Sequence, residues 1–280
     1  MRLPAVEHKT VLITGCSTGI GRATARLLRD HGWRVLATAR QLKDVDSLAS
    51  EGFESFPLDL ADDRSVAEGA KTALNRTNGR IGALVNNAGY GQPGALEDVS
   101  REALRRQFEV NVFGLQDLTN RILPAMIKAG AGRIVHVSSV LGRLAIPLMG
   151  AYCATKHAVE ALADAQRIEL RNTGVGVILI EPGPIETAFH RNARTAAESM
   201  LPGSPRFDLE RYALLVEADR RFAMKPESVA KAILKALESR CPRRRYTITV
   251  PAKIGPLLRT MLPGAWWDAL LEYRIRNLRK

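Results

Sequence analysis

Cysteine is scarce in this chain, and the little present forms no pattern. Cys16, Cys153 and Cys241 are an odd set whose spacings fit neither a disulfide framework nor a zinc site. A reduced, cytoplasmic protein is therefore expected, with Cys16 and Cys153 as small packed side chains. His136 and His157 lack metal-ligand spacing, so no metal is expected. Long apolar runs are missing as well. No stretch reaches the ~18 residues needed to cross a bilayer, and the opening MRLPAVEHKT has no apolar region of the kind a secretory signal carries. Repeats and low-complexity segments are absent. Acid is in deficit, with 29 Asp and Glu against 41 Lys and Arg, a formal net charge of +12. Much of the excess sits at the end, where residues 240–280 hold ten Lys or Arg against Asp268 and Glu272. Such a tail can meet nucleic acid, an anionic membrane surface or an acidic partner, and is most simply a solvated face. No nucleic-acid motif accompanies it, so nucleic acid is not expected as a partner.

What remains is an ordinary globular composition, 46% hydrophobic and 25% charged. Short β-rich runs alternate with longer helical patterns. Strands are expected at residues 10–14, 34–38, 53–58, 83–86, 133–137, 175–181 and 246–250. Helices are expected at 22–30, 64–77, 101–129, 152–171 and 227–239. This order implies an α/β fold, a single Rossmann-like, doubly wound parallel sheet of about seven strands with helices on both faces. One domain is expected over 1–280. Residues 7–190 form its core, 190–225 a variable lid, 226–250 the last helix and strand, and 251–280 a basic extension.

The segment Thr14-Gly15-Cys16-Ser17-Thr18-Gly19-Ile20-Gly21 lies between the first strand and the first helix. Glycines there allow a tight turn and close backbone approach, while the helix N-terminus offers N–H donors and partial positive charge to a pyrophosphate. Strand before and helix after is the context that such a loop requires. Further on, Tyr152 and Lys156 stand four residues apart, on one helix face. An ammonium beside a phenol favours the phenolate and should lower the phenol pKa. Such a phenol can exchange a proton with a carbonyl or alcohol oxygen. Ser139 can hydrogen-bond the same oxygen as charge develops. Its neighbour Ser138 would face the other way in a strand.

The ordered set resembles the short-chain dehydrogenase/reductase family. TGCSTGIG is similar to its cofactor loop, Asn86-Asn87-Ala88-Gly89 to its NNAG segment, and Asn111 to its helix-kinking Asn. Ser139 precedes Tyr152 by the family's spacing, YCATK matches its YxxxK, and Pro182-Gly183 with Thr187 resembles its PG motif. The match runs from about residue 9 to 190. It implies hydride transfer between a nicotinamide cofactor and a carbonyl or alcohol, with Ser139, Tyr152, Lys156 and Asn111 catalytic. Lys156 would also hold the nicotinamide ribose, and Asn111 would relay protons through water. The cofactor contacts implied are Gly15, Ser17, Thr18, Gly19, Ile20 and Gly21 in the loop; Arg40, Asp59 and Leu60 after the next two strands; Asn87, Ala88 and Gly89; Tyr152 and Lys156; and Pro182, Gly183, Ile185 and Thr187.

NADP(H) is expected rather than NAD(H). Relatives that use NAD end the second strand with an acid; here Ala39 stands in that place, and Arg40 can pair with a 2′-phosphate. The nearest resemblance is to hydroxysteroid- and retinol-type members. Residues 190–222 should cover an apolar substrate, with Leu209, Tyr212, Leu214, Leu215 and Val216 as cover. Arg211, Glu217, Arg220 and Arg221 should stay wet, and Leu141, Leu144, Ile146, Leu148 and Met149 should form the floor. A homodimer or homotetramer is expected through residues 101–129 and 152–171. The stripe Leu115, Leu118, Ile122 and Met126 could serve there, or equally face the sheet as core. Two other readings are open: a dinucleotide-binding sensor of the same fold that does no chemistry, and a sugar-nucleotide epimerase, whose loop and length fit poorly.

Overall fold

In a computed structural model, residues 2–200 and 209–277 are described. Seven parallel strands form one sheet in the order β3-β2-β1-β4-β5-β6-β7. They are β1 (Thr10–Ile13), β2 (Arg34–Ala39), β3 (Glu54–Pro57), β4 (Ala83–Asn86), β5 (Gly132–Val137), β6 (Val175–Glu181) and β7 (Arg245–Thr247). The chain winds outward from β1 in one direction and then from β4 in the other. The reversal leaves a crevice beyond the carboxyl ends of β1 and β4, where ligands bind in open α/β sheets.

Both faces of the sheet are covered, and strand alternation divides the core in two. Val11 and Ile13 of β1 enter one apolar cluster with Ala25 and Leu28 of α1 (Gly19–Asp30), Leu48 of α2 (Leu42–Ser50) and Ile233 of α9 (Pro226–Glu238). Leu12 between them points to the other face. There it joins Val66 of α3 (Asp63–Thr77), Leu118 of α5 (Gly114–Ala129) and Val159 of α6 (Gly150–Glu169).

Three local departures from the expected elements have identifiable causes. The helix expected over 101–129 is broken into α4 (Arg101–Phe108), a π-helical turn (Glu109–Phe113) and α5. Gly114 closes that turn with no Cβ to spare, since one would lie 2.0 Å from the Leu60 carbonyl oxygen. π turns of this kind recur at functional sites. The last strand is shorter than residues 246–250. The Thr249 hydroxyl accepts the Ala252 N–H at 3.4 Å, and Pro251 follows, a capping residue and an N-terminal proline that start α10 (Val250–Met261). The basic extension forms α10 and then, after a break at Leu262 and Pro263, α11 (Gly264–Asn277).

The segment expected as a lid follows β6 as α7 (Phe189–Met200) and α8 (Leu209–Arg220). Residues 201–208 lie outside the described residues, as do the side chains of Leu209 and Arg211. The stripe Leu115, Leu118, Ile122 and Met126 is sheet-facing core, each residue at most 1% exposed. It therefore offers nothing to a partner subunit.

Candidate active site

The glycine loop is held in place by β4. The Thr14 hydroxyl accepts the N–H groups of Asn87 at 3.0 Å and Ala88 at 2.9 Å. In return the Asn87 amide donates to the carbonyls of Thr14 at 2.9 Å and Gly15 at 3.0 Å. Gly15 has φ +72°, and a Cβ there would lie 2.8 Å from the Ala88 Cα. At Gly21 a Cβ would lie 2.2 Å from the Gly15 carbonyl oxygen. Gly19, with φ +57°, lies against the Thr187 methyl. Thr18 is the exposed N-cap of α1, with no side-chain cap bond and no acid in the first turn. The turn thus presents backbone donors with their partial positive charge undiminished, which suits a diphosphate. Ser17, Gly19 and Ile20 are half-buried beside it. Cys16 is buried, its thiol pushed up to about 12 by desolvation, and it donates to the Ile13 carbonyl at 3.4 Å. It is a packing residue, and buried Cys153 is shifted up for the same reason.

Beyond β5 the backbone stays extended to Ser139, which caps a 3₁₀ turn, Val140–Gly142, accepting the Leu141 N–H at 3.1 Å. Its hydroxyl is near enough to the Tyr152 phenol to favour the charged form. Ser138 points elsewhere, toward Gly142. Lys156, one turn after Tyr152 on α6, is buried and donates to the Val137 carbonyl at 2.8 Å, with Nζ 5.7 Å from the Tyr152 ring centre. Burial lowers its pKa to about 8, opposed by the charge of Glu160. The Tyr152 phenol moves upward, not downward as expected. Desolvation dominates there, and the Ser139 hydroxyl only partly offsets it. The neighbouring ammonium does not reverse the direction. Tyr152 consequently holds its proton at neutral pH.

Asn111 lies in the π turn, completely buried. Its Nδ2 donates to the Tyr90 carbonyl at 3.0 Å and the Thr155 hydroxyl at 3.1 Å, while its Oδ1 accepts the Tyr90 N–H at 3.1 Å. The side chain is a brace between the NNAG segment and α6. Gly89 lets the two approach, since a Cβ there would lie 3.1 Å from Asn111 Oδ1 and 3.8 Å from Lys156 Nζ. Pro182 accepts the Val140 N–H at 2.8 Å, and Gly183 packs so tightly on Thr249 that a Cβ would lie 2.1 Å from its hydroxyl. Ile185 is buried and bridges to Met224, while the Thr187 hydroxyl accepts the Phe189 N–H at 3.3 Å. Arg40 is exposed immediately after β2, behind buried Ala39. Asp59, after β3, accepts the Ala61 N–H at 3.0 Å, and Leu60 turns its side chain into the core. Arg40, Asp59 and Leu60 therefore stand at the ends of β2 and β3, away from Tyr152. The loop with no room for a Cβ at Gly15 or Gly21, the Asn87 clasp and buried Lys156 together fit a nicotinamide dinucleotide laid across the crevice.

Residues 9–198 match the model of the short chain dehydrogenase family. The chain belongs to that family. It is 39% identical over 267 residues to an uncharacterized oxidoreductase of Escherichia coli, YbbO, covering 95% of each chain. It is 36% identical over 273 residues to human 17-beta-hydroxysteroid dehydrogenase type 1, covering 92% of this chain and 82% of that one. Among solved structures, a short chain dehydrogenase/reductase from Burkholderia phymatum in complex with NAD superposes with a TM-score of 0.79 at 29% identity, covering 92% and 95% of the two chains. The chain is thus an alcohol–carbonyl oxidoreductase of the short chain dehydrogenase type, and a sensor or epimerase is not favoured.

Sequence reasoning missed how tightly this dehydrogenase closes over its phenol. Phe189 lies with its ring centre 5.2 Å from that of Tyr152, and His190 packs edge-on against Phe189. The His190 ring and the Tyr212 hydroxyl of α8 are 3.1 Å apart. Met149, Tyr152, Cys153, Ala193, Ala197 and Tyr212 form a third apolar cluster, with Leu141, Ile146, Leu148 and Val216 packed on it. Leu144 is buried close by, Leu215 is buried, and Leu214 is exposed. Glu217, Arg220 and Arg221 are exposed, as expected. A cavity of about 990 Å³ lies on the other side of α8, bounded by Gly19, Thr187, Arg22, Val216 and Glu227. It adjoins the cofactor loop rather than Tyr152. The signal for Phe189 was an aromatic two residues after Thr187, which no periodicity marks.

Proposed function

We propose that this chain is an NADP(H)-dependent oxidoreductase that interconverts a largish apolar ketone or aldehyde, of steroid, retinoid, lipid or xenobiotic type, with its alcohol. The observation that carries the reading is the apolar box over Tyr152: Phe189 and Tyr212 above, Met149, Ile146 and Leu148 beside it. Among the described residues the side chains packed on it are apolar or aromatic, with the His190 ring at its edge. In the reductive direction Tyr152 gives its proton to the carbonyl oxygen and Ser139 hydrogen-bonds the same oxygen. Lys156 would hold the nicotinamide ribose, and Asn111 fixes α6 against the segment after NNAG so that Tyr152 and Lys156 stay in register. The dinucleotide, when bound, supplies the hydride that the carbonyl carbon receives, and the reverse reaction returns hydride and proton to the same partners. Pairing of copies through α5 and α6 belongs to the same reading. Exposed Phe113, Ile127 and Ile168, not the core stripe, are the residues available for it.

The preference for NADP(H) is supported by Arg40, exposed beyond β2, and by Ala39 before it, where an acid is absent. A guanidinium pairs with a phosphate through two parallel bonds, and an acid at Ala39 would repel that phosphate. The check is the ratio of kcat/KM with NADPH to that with NADH. It should favour NADPH and fall ~10-fold or more in Arg40→Ala, the loss of a charge-assisted pair. An NADH preference that survives the substitution would overturn the assignment.

A further inference from the structure

The last two helices wear their apolar residues on the outside. In α10, Val250, Ile254, Leu257, Leu258 and Met261 recur at helical spacing, and all are exposed, Met261 by 72%. The buried side of the same helix is Ala252 and Pro256. In α11, Trp266, Leu270 and Tyr273 repeat the arrangement, with Trp266 and Tyr273 each 68% exposed while Trp267 turns inward. Seventeen large hydrophobic residues are exposed among the described residues, and eight of them fall within 250–273. Singly exposed apolar residues need no explanation, but stripes on two successive helices mark an interaction surface.

The charge around these stripes decides what covers them. Lys253, Arg259, Arg274 and Arg276 are exposed on the same two helices, and Arg240, Arg243 and Arg244 on the approach to them. Over residues 240–280 there are ten Lys or Arg against Asp268 and Glu272. A second copy docking by two-fold symmetry would bring this positive surface against itself. An anionic surface with an apolar interior satisfies both parts, and Trp and Tyr rings suit its boundary. The two helices also adjoin the site. Gly255 of α10 packs on Leu144, in the segment between Ser139 and Tyr152, and Thr249 packs on Gly183.

We infer that the outward faces of α10 and α11 dock this protein on an anionic phospholipid surface. The apolar stripes enter the headgroup boundary, the basic residues meet lipid phosphates, and the segment between Ser139 and Tyr152 is held near the membrane. Docking does not depend on the substrate proposed above, because vesicle binding is measured without any ketone. The experiment is co-sedimentation of the full chain with vesicles of phosphatidylcholine alone and of phosphatidylcholine containing phosphatidylglycerol, at low and high salt. Binding is expected only to the anionic vesicles, weakening as salt screens the surface. Leu257→Glu with Met261→Glu, and separately Trp266→Glu, should each reduce binding ~10-fold or more, with melting temperature unchanged as the check on folding. Absence of binding to anionic vesicles at low salt would overturn the inference. So would equal binding to neutral vesicles, or variants that convert a dimer to a monomer while vesicle binding persists.

Discussion

At the level of single residues, the neighbourhood of Tyr152 and Lys156 was legible because the two are fixed by spacing. The four-residue step from Tyr152 to Lys156 survives any change in the surroundings of α6. The direction of the phenol's shift was not legible, because it depends on burial under Phe189, which is remote in pattern though not in number. If Tyr152 is the proton donor, Tyr152→Phe should lower kcat by ~10²–10⁴-fold and leave dinucleotide affinity, measured by fluorescence titration, unchanged. Near-normal turnover would remove the assignment. A second buried group, equally invisible in the sequence, is Glu181. Its side chain is wholly buried at the end of β6, with Arg245 Nε 3.0 Å away and Arg143 at 3.8 Å. Arg245 also pairs with Glu160 at 3.0 Å and Asp164 at 2.6 Å. Desolvation first, then the charge of Glu160, raises the Glu181 carboxyl to about 7. A raised acid binds its proton more tightly when folded. Its contribution to stability is therefore complete below the ordinary carboxyl value of 4.5 and is lost as pH rises through about 7. Glu181→Gln removes that loss and leaves Arg245 its other two carboxylates. Its melting temperature relative to the parent should rise by several degrees between pH ~5 and ~8, in line with ~1.4 kcal/mol per pKa unit. A difference independent of pH would show that Glu181 is not the titrating group.

At the level of elements, the strands were read well because parallel strands buried on both faces are continuous β-branched and aliphatic runs. Breaks and caps were read less well. The π turn comes from an inserted residue and a helix–loop contact, and apolar periodicity runs through it almost unaltered. Thr249 and Pro251 start a helix, but Ile248 and Val250 beside them read as a strand. The contact that ends the π turn has a direct test. A Cβ at position 114 would meet the Leu60 carbonyl, which is backbone and cannot swing away. Gly114→Ala should therefore destabilise the fold by ~1–3 kcal/mol, the usual cost of overpacking, measured by urea unfolding. It should also lower activity, since Asn111 lies in the same turn. Full stability would mean that α5 can slide on the β3–α3 loop.

For the whole molecule, the doubly wound parallel sheet of about seven strands and the family were present in the order of the motifs, while the strand order came only with the structure. The segment after Thr187 was seen as composition with two helical patches, and the last two helices only as composition. Their geometry comes from packing across the carboxyl ends of the strands, which a linear pattern does not encode. The box around Tyr152 nevertheless makes a definite claim about what the molecule acts on. The measurement that tests it most directly is kcat/KM with NADPH over a homologous series of ketones, from short to long apolar chains, beside small sugars and keto acids of similar size. Each methylene buried in the box is worth ~0.8 kcal/mol. The value should accordingly climb severalfold per added methylene until the box is filled, with the polar carbonyls near background. A flat series, or a preference for the small polar carbonyls, would contradict it.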